Sequence, residues 1–360
     1  MTYLDYQATT PLAPEALEAI LPWLRDQYAN PHSAHREGRR ARAAVEVARD
    51  QVAALLPPGG RLAFTSGATE ALNWAIKGTT GPIVTLATEH AAVLDTVAAT
   101  GRPVTILPVG ADGLVDLARA AAAIRPGTGL VAAMLVNNEI GAIQPVAELV
   151  KLAHDAGALF LCDAVQGYGR VPIPDGCDLV AISAHKVHGP KGVGALWIGN
   201  GVTLAPLLHG GGQEEPGRSG TLSPALCAGF GAAARLAAGR HDIDTLHAQG
   251  LFDLASSRLG ADWTVNGSVE HRYPGNLNIR RPGLDVARLM SDLRDLSFSA
   301  GSACASGSGR PSHVLRAIGL SDAEARSSLR LGFGRYTTQD ELTAAIGRIE
   351  TATWSQQVVA

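Results

Sequence analysis

Short runs that are apolar throughout recur between residues 60 and 200. They are Leu62–Thr65, Ile83–Ala87, Val104–Leu107, Leu130–Val136, Leu159–Cys162, Leu179–Ile182 and Ala195–Ile198. Runs this short without polar alternation read as strands buried on both faces. Between most of them lie helix-length segments, at about 68–77, 90–100, 114–124 and 147–156. The alternation predicts an α/β fold with a mainly parallel sheet covered by helices. Ligands of such sheets bind at the carboxyl ends of the strands.

The flanks read differently. Residues 1–13 look extended. A helix is expected from about Pro14 to Tyr28, with proline suited to the first turn. A longer one runs from about Ala34 to Leu56 and stops at Pro57-Pro58-Gly59-Gly60. After the glycine-rich stretch 210–220 come two alanine-rich helices, about 222–238 and 242–258. Then the character changes. Runs near 276–279 and 296–298, helices near 284–294, 311–318 and 338–352, and a strand at Ser328–Phe333 predict a smaller α+β domain. The expected division is a large domain over 15–245 and a small one made of 1–14 and 246–360.

Composition narrows the function. With 360 residues, 46% hydrophobic and 18% charged, the chain can bury a core in each of two domains. A net charge of −3 and 5% aromatics offer neither a basic surface nor a stacking platform for nucleic acid. Cys162, Cys177, Cys227 and Cys304 lie far apart with no C-x-x-C pair, which argues against a disulfide framework or a zinc site. A reducing cytoplasm fits best. The start, MTYLDYQATTP, lacks the charged and apolar regions of a signal peptide, and no apolar run approaches membrane-spanning length.

The chemistry gathers where apolar runs end. Leu179–Ile182 leads into Ser183-Ala184-His185-Lys186 and a Gly/Pro-rich turn. Taken alone, this is either a surface turn or a site where a lysine forms a Schiff base beside phosphate-binding groups. Pyridoxal phosphate carries both an aldehyde and a phosphate. Ser66-Gly67-Ala68-Thr69-Glu70 joins a strand to a helix N-terminus, which is either a capped turn or a phosphate cradle. Asp163 ends another strand, with Gln166 three residues on. The carboxylate is either a helix cap or the partner of a pyridinium nitrogen, with Gln166 placed for the ring's phenolic oxygen. His90 begins a helix and is either a cap-region residue or a group that stacks on a flat ring and relays protons. Asn138 follows a buried strand and either closes a turn or meets a substrate carboxylate. Arg330, inside Leu329-Arg330-Leu331, calls for an anionic partner, and a substrate carboxylate would serve. Cys304 sits in the small-residue stretch Ser299–Gly309, without the bulky neighbours of a packing cysteine, and suits a nucleophile. The other cysteines read as packing residues.

Some apparent motifs fail. His209-Gly210-Gly211-Gly212 has no G-x-S-x-G elbow to serve. Gly229-Phe230-Gly231-Ala232-Ala233-Ala234 lies inside an expected helix with no strand before it, so it is no dinucleotide fingerprint.

Together the motifs resemble the cysteine desulfurases of the NifS/IscS type, within the class V aminotransferase group of fold-type I pyridoxal phosphate enzymes. The resemblance runs nearly end to end: YLDYQATTP (3–11), NPHSAH (30–35), FTSGATEALNWAIKG (64–78), ATEHAAVLD (87–95), VNNEIGAIQP (136–145), CDAVQ (162–166), SAHKVHGPKGVGALW (183–197), HGGGQE…RSGT (209–221), GSACASGSGRPSHVL (301–315) and SLRLGFGRYTT (328–338). It implies a fold-type I transferase that converts L-cysteine to L-alanine and leaves a persulfide on Cys304. Lys186 would hold the cofactor as a Schiff base, Asp163 would face its ring nitrogen, His90 would stack on the ring, and Gln166 would meet the phenolic oxygen. Ala68, Thr69, Ser183 and His185 would line the phosphate. Thr221 would reach the phosphate in the partner subunit of a homodimer. Asn138 and Arg330 would bind the substrate carboxylate, and a scaffold or relay protein would accept the sulfur. Tyr6-Gln7 and Leu72 depart from the common family pattern, at positions to which no role is assigned.

Overall fold

The chain opens with a two-residue strand, β1 (Thr2–Tyr3), followed by helices α1 (Pro14–Arg25) and α2 (Arg36–Ala53). Strands and helices then alternate as β2 (Gly60–Thr65), α3 (Ala68–Gly78), β3 (Ile83–Leu86), α4 (Ala91–Ala99), β4 (Val104–Leu107), α5 (Leu117–Ala123), β5 (Leu130–Met134), α6 (Val146–Asp155) and β6 (Leu159–Asp163). β7 (Leu179–Ser183) and β8 (Gly194–Gly199) complete this part. The remainder holds α7 (Pro224–Arg258), β9 (Thr264–Val265), β10 (Asn276–Arg280), α8 (Val286–Asp292), β11 (Leu296–Ser297), β12 (Ser299–Ala300), α9 (His313–Ala317), α10 (Asp322–Arg326), β13 (Ser328–Gly332) and α11 (Gln339–Val359). This computed structural model describes residues 1–214, 217–300 and 311–359, the last three as backbone only.

The larger sheet has the order β2-β8-β7-β6-β5-β3-β4. Within it β8 alone runs against its neighbours. The unbroken apolar runs now have a cause. Phe160, Cys162, Val180 and Ile182 enter one hydrophobic cluster, and Leu161, Leu179 and Ala181 enter another. Successive side chains of a strand point to opposite faces, and here both faces are buried. The smaller sheet, β12-β13-β10-β9, is antiparallel and packs its own cluster, which includes Leu277, Ile279, Leu329 and Leu331.

One expectation needs correction. The two helices expected at 222–238 and 242–258 are a single 35-residue helix, α7. A glycine at 239 costs only about 1 kcal/mol in a helix interior, and packing along both halves outweighs it. The first half lies close against α1 and α2: a Cβ at Gly229 would stand 2.6 Å from Ile20, and one at Gly231 would stand 2.8 Å from the Cα of Ala48. The glycines of the discarded dinucleotide motif thus serve helix packing. The second half gives Leu251 and Ala255 to the small-sheet cluster.

The first ten residues join the two sheets. β1 pairs with β11 in parallel, and Asp5 bridges Gly332. The Thr10 amide then donates to the His185 carbonyl at 2.9 Å, and the Ala13 amide to that of His188 at 2.9 Å. Among the described residues no helix is long and apolar enough to cross a membrane, and no three metal-ligating side chains cluster.

Candidate active site

Polar residues become tolerable where the buried strands end, and the ends of β2, β3, β5, β6 and β7 share one edge of the sheet. Because β8 is reversed, its starting end, preceded by Lys191 and Gly192, meets the same edge. A cavity of about 570 Å³ opens there. Ala68, Thr69, His90, Asn138, Asp163, Gln166, Ser183, His185, Lys186 and Arg330 all line it. Thr221 does not line it and is exposed. Cys304 lies outside the described residues, whereas Cys162, Cys177 and Cys227 are buried as packing residues.

Lys186 ends a single 3-10 turn after β7. Its Nζ donates to the main-chain carbonyl of Ala8 at 2.8 Å and to that of Gln7. Asp163 is buried at the end of β6, and its Oδ1 accepts from the Val165 amide at 3.0 Å. Burial raises its pKa, opposed by the charges of His90 and Lys186 and by that hydrogen bond. His90 caps α4, with Nδ1 accepting from the Ala92 amide at 3.0 Å. When the ring is neutral, its proton therefore sits on Nε2.

At another part of the cavity, α3 begins at Ala68 after Gly67. A Cβ built on Gly67 meets no protein atom within 4 Å, although Gly67 lines the cavity, so the glycine leaves space against a helix N-terminus. Ser183 and His185 line the same cavity. The His185 Nδ1 lies 3.1 Å from the Thr9 hydroxyl. Its pKa falls to about 4, chiefly from burial and then from Lys186, Lys191 and Arg170, so the ring is neutral at pH 7. An amine, a buried carboxylate, an imidazole and a helix N-terminus with an adjacent hydroxyl form a donor set that fits pyridoxal phosphate.

Two expected contacts differ in detail. Gln166 Nε2 donates to the Gln7 carbonyl at 2.9 Å, and its Oε1 accepts from Arg170 at 3.2 Å, so the amide is engaged with protein on both sides. Arg330 is 1% exposed, and among the described residues it forms an ion pair with Asp5, 2.7 Å from Nη2. Its Nη1 donates to the Asn138 carbonyl at 2.9 Å.

The sequence reading passed over several residues. Gln7 and Leu72, given no role, both line the cavity, as do Ala8 and Thr9. Glu139 follows Asn138, and its carboxylate accepts the Ser312 hydroxyl. Burial pushes its pKa up to about 7, against the opposing pull of that hydrogen bond and of Arg330 and His90. Glu89 precedes His90 and is fully buried; one oxygen accepts from the Met134 amide at 2.9 Å and the other has no partner among the described residues. Burial raises its pKa well above the usual value. The available signal was an acidic residue just beyond an apolar strand, where ionisation is costly.

Known proteins agree with this architecture. The aminotransferase class-V family profile matches residues 2–344. Cysteine desulfurase IscS of Rickettsia bellii is 42% identical, covering 96% of this chain and 89% of its own length. Cysteine desulfurase IscS of Anaeromyxobacter dehalogenans is 43% identical, covering 96% and 90%. Among solved structures, the NifS-like protein of Rickettsia africae superposes with a TM-score of 0.91 at 31% identity, covering 98% of this chain and 99% of its own. SspA in complex with cysteine gives a TM-score of 0.84 at 34% identity, covering 94% and 100%. From its strand ends to its sheet order, the chain belongs to the class-V aminotransferase family.

Proposed function

We propose that the protein is a pyridoxal-phosphate-dependent cysteine desulfurase: it removes the sulfur of L-cysteine, releases L-alanine and keeps the sulfur as a persulfide on Cys304. The observation that carries this reading is the single cavity in which Lys186, Asp163 and His90 face the same space as Arg330. The names of the relatives support the choice of L-cysteine.

Pyridoxal phosphate, when bound, supplies the electron sink for the pair left when the substrate's α-carbon loses its proton. Asp163 would hold a positive ring nitrogen, since a buried carboxylate is best stabilised by an adjacent cation. Ser183, Thr69, Ala68 and the start of α3 would hold the phosphate, with neutral His185 adding a hydrogen bond but no charge. Lys186 Nζ would carry the proton to and from the substrate. His90 would exchange protons through Nε2, because Nδ1 is engaged by the Ala92 amide. The Cys304 thiolate then bonds to the substrate sulfur, the sulfur–Cβ bond breaks, and Cβ gains a proton to become the methyl group of alanine.

We further infer a homodimer in which Thr221 reaches the partner's phosphate; its exposure supports this. A cytoplasmic location, a division into 15–245 against 1–14 with 246–360, and a scaffold or relay protein as sulfur acceptor belong to the same reading. The test is alanine and sulfide release from L-cysteine with a thiol reductant, comparing the parent with Cys304→Ala. Equal yields of both products from the parent and almost none from the variant support the proposal. Full activity in the variant removes Cys304 as acceptor and points to an aminotransferase or lyase of the same fold.

A further inference from the structure

Asp5 stands just outside the cavity. Its Oδ1 accepts from Arg330 Nη2 at 2.7 Å and from the Ser299 hydroxyl at 2.8 Å. Nη2 also lies 3.2 Å from that hydroxyl. Nη1 donates to the Asn138 carbonyl at 2.9 Å, and Nε has no partner among the described residues. A guanidinium has five N–H groups in a fixed plane. With both hydrogens of Nη2 taken and one of Nη1 directed at Asn138, the plane has little freedom to turn. A side chain 1% exposed whose hydrogen-bonded carboxylate among the described residues is Asp5 is also a charge that depends on that partner.

We propose that Asp5 is a positioning residue for Arg330, fixing the guanidinium so that its remaining Nη1 hydrogen meets the substrate carboxylate. This rests on the desulfurase reading for the nature of the ligand. It accounts for two features at once. Asp5 does not line the cavity, so it acts through Arg330. Its backbone is also locked, by the bridge to Gly332 two residues beyond Arg330 and by the Leu4 amide on the Ser297 carbonyl at 2.7 Å. With Nη2 occupied, the substrate carboxylate is met by one guanidinium N–H rather than by a two-pronged fork. The pair is nearly neutral overall, so recognition follows geometry more than net charge.

The experiment measures KM and kcat for L-cysteine, and the inhibition constant of cysteamine, which lacks the carboxylate. The holoenzymes compared are the parent, Asp5→Ala, Asp5→Asn, Arg330→Ala and the double variant Asp5→Ala/Arg330→Ala. The expected result is a KM for L-cysteine about tenfold higher in Asp5→Ala and at least threefold higher in Asp5→Asn. Changes in kcat and in cysteamine inhibition stay within twofold, and the double variant is no worse than Arg330→Ala. If Asp5→Ala does not fold, Asp5→Asn, which keeps the Oδ1 acceptor, decides alone. An unchanged KM, equal losses for L-cysteine and cysteamine, or additive effects in the double variant would overturn the proposal. A parent protein that turns over no L-cysteine counts instead against the function proposed above. The same comparison then uses equilibrium binding of L-alanine against ethylamine.

Discussion

Glu139 should make stability depend on pH in a way that one substitution can isolate. Its carboxyl is buried beside Ser312, Arg330 and His90, and its pKa is about 7 against an ordinary 4.5. Below pH 4.5 the group is protonated whether the chain is folded or not, and its burial carries no ionic penalty. As pH rises, the unfolded chain ionises first. The folded state gives up stability progressively until pH passes 7, and the loss then levels off. A gap of about 2.5 pH units corresponds to about 3 kcal/mol in total, of which about 2.5 kcal/mol falls between pH 5 and pH 8. Glu139→Gln keeps an oxygen for the Ser312 hydroxyl but cannot ionise. Other titrating groups cancel when the variant is compared with its parent. Equilibrium urea unfolding of both proteins at pH 5 and pH 8 should therefore show the variant gaining about 2.5 kcal/mol on the parent between the two. A difference between the proteins that is the same at both pH values, to within about 0.5 kcal/mol, would refute the argument.

Two further outcomes follow from packing. In Gly194→Ala the new Cβ would sit 2.6 Å from the Ile182 carbonyl oxygen and 2.7 Å from the Cα of Gly67, both main-chain atoms. The variant should lose about 1–3 kcal/mol of stability and bind pyridoxal phosphate more weakly, because the start of α3 is displaced; fluorescence titration with the cofactor checks the second point. Glu214 is buried and accepts from Arg49 Nη1 at 2.8 Å and Nη2 at 2.9 Å. Glu214→Ala should cost about 2 kcal/mol by thermal unfolding, since it removes two charge-assisted hydrogen bonds while Arg49 keeps Glu46 and the Leu62 carbonyl, and Arg49→Met/Glu214→Leu should recover most of it.

What could be read from the sequence follows from where side chains carry the information. Phe160 and Val180 announce their strands because burial on both faces leaves no polar position. Asp163, Ser183 and His90 announce the site because they interrupt that apolar habit at strand ends. Asp5 and Gln7 announce nothing. The cavity uses the main-chain carbonyl of Gln7, which any residue would supply. The pairing of Asp5 with Arg330 spans 325 residues of sequence, beyond any local pattern. The two-residue strands β1, β9, β11 and β12 are too short for periodicity to register. The break expected near residue 240 is absent because contacts at Ile20 and Ala48 hold the first half of α7 and the small-sheet cluster holds the second.

The strap formed by the first ten residues has a consequence for biosynthesis. It leaves the ribosome before the larger sheet, yet its partners, Leu296–Ser297 and Gly332, emerge only after that sheet is complete. At about 5–20 residues per second, on the order of ten seconds separates the synthesis of Lys186 from that of Gly332. During that interval the nascent chain can already form most of the larger sheet, while the carbonyls of Gln7 and Ala8 that hold the lysine amine have no fixed place. Contacts this distant in sequence form slowly as well as late. The wall around the lysine is therefore completed late, and a chain stalled before residue 332 would present its lysine without the wall that confines it.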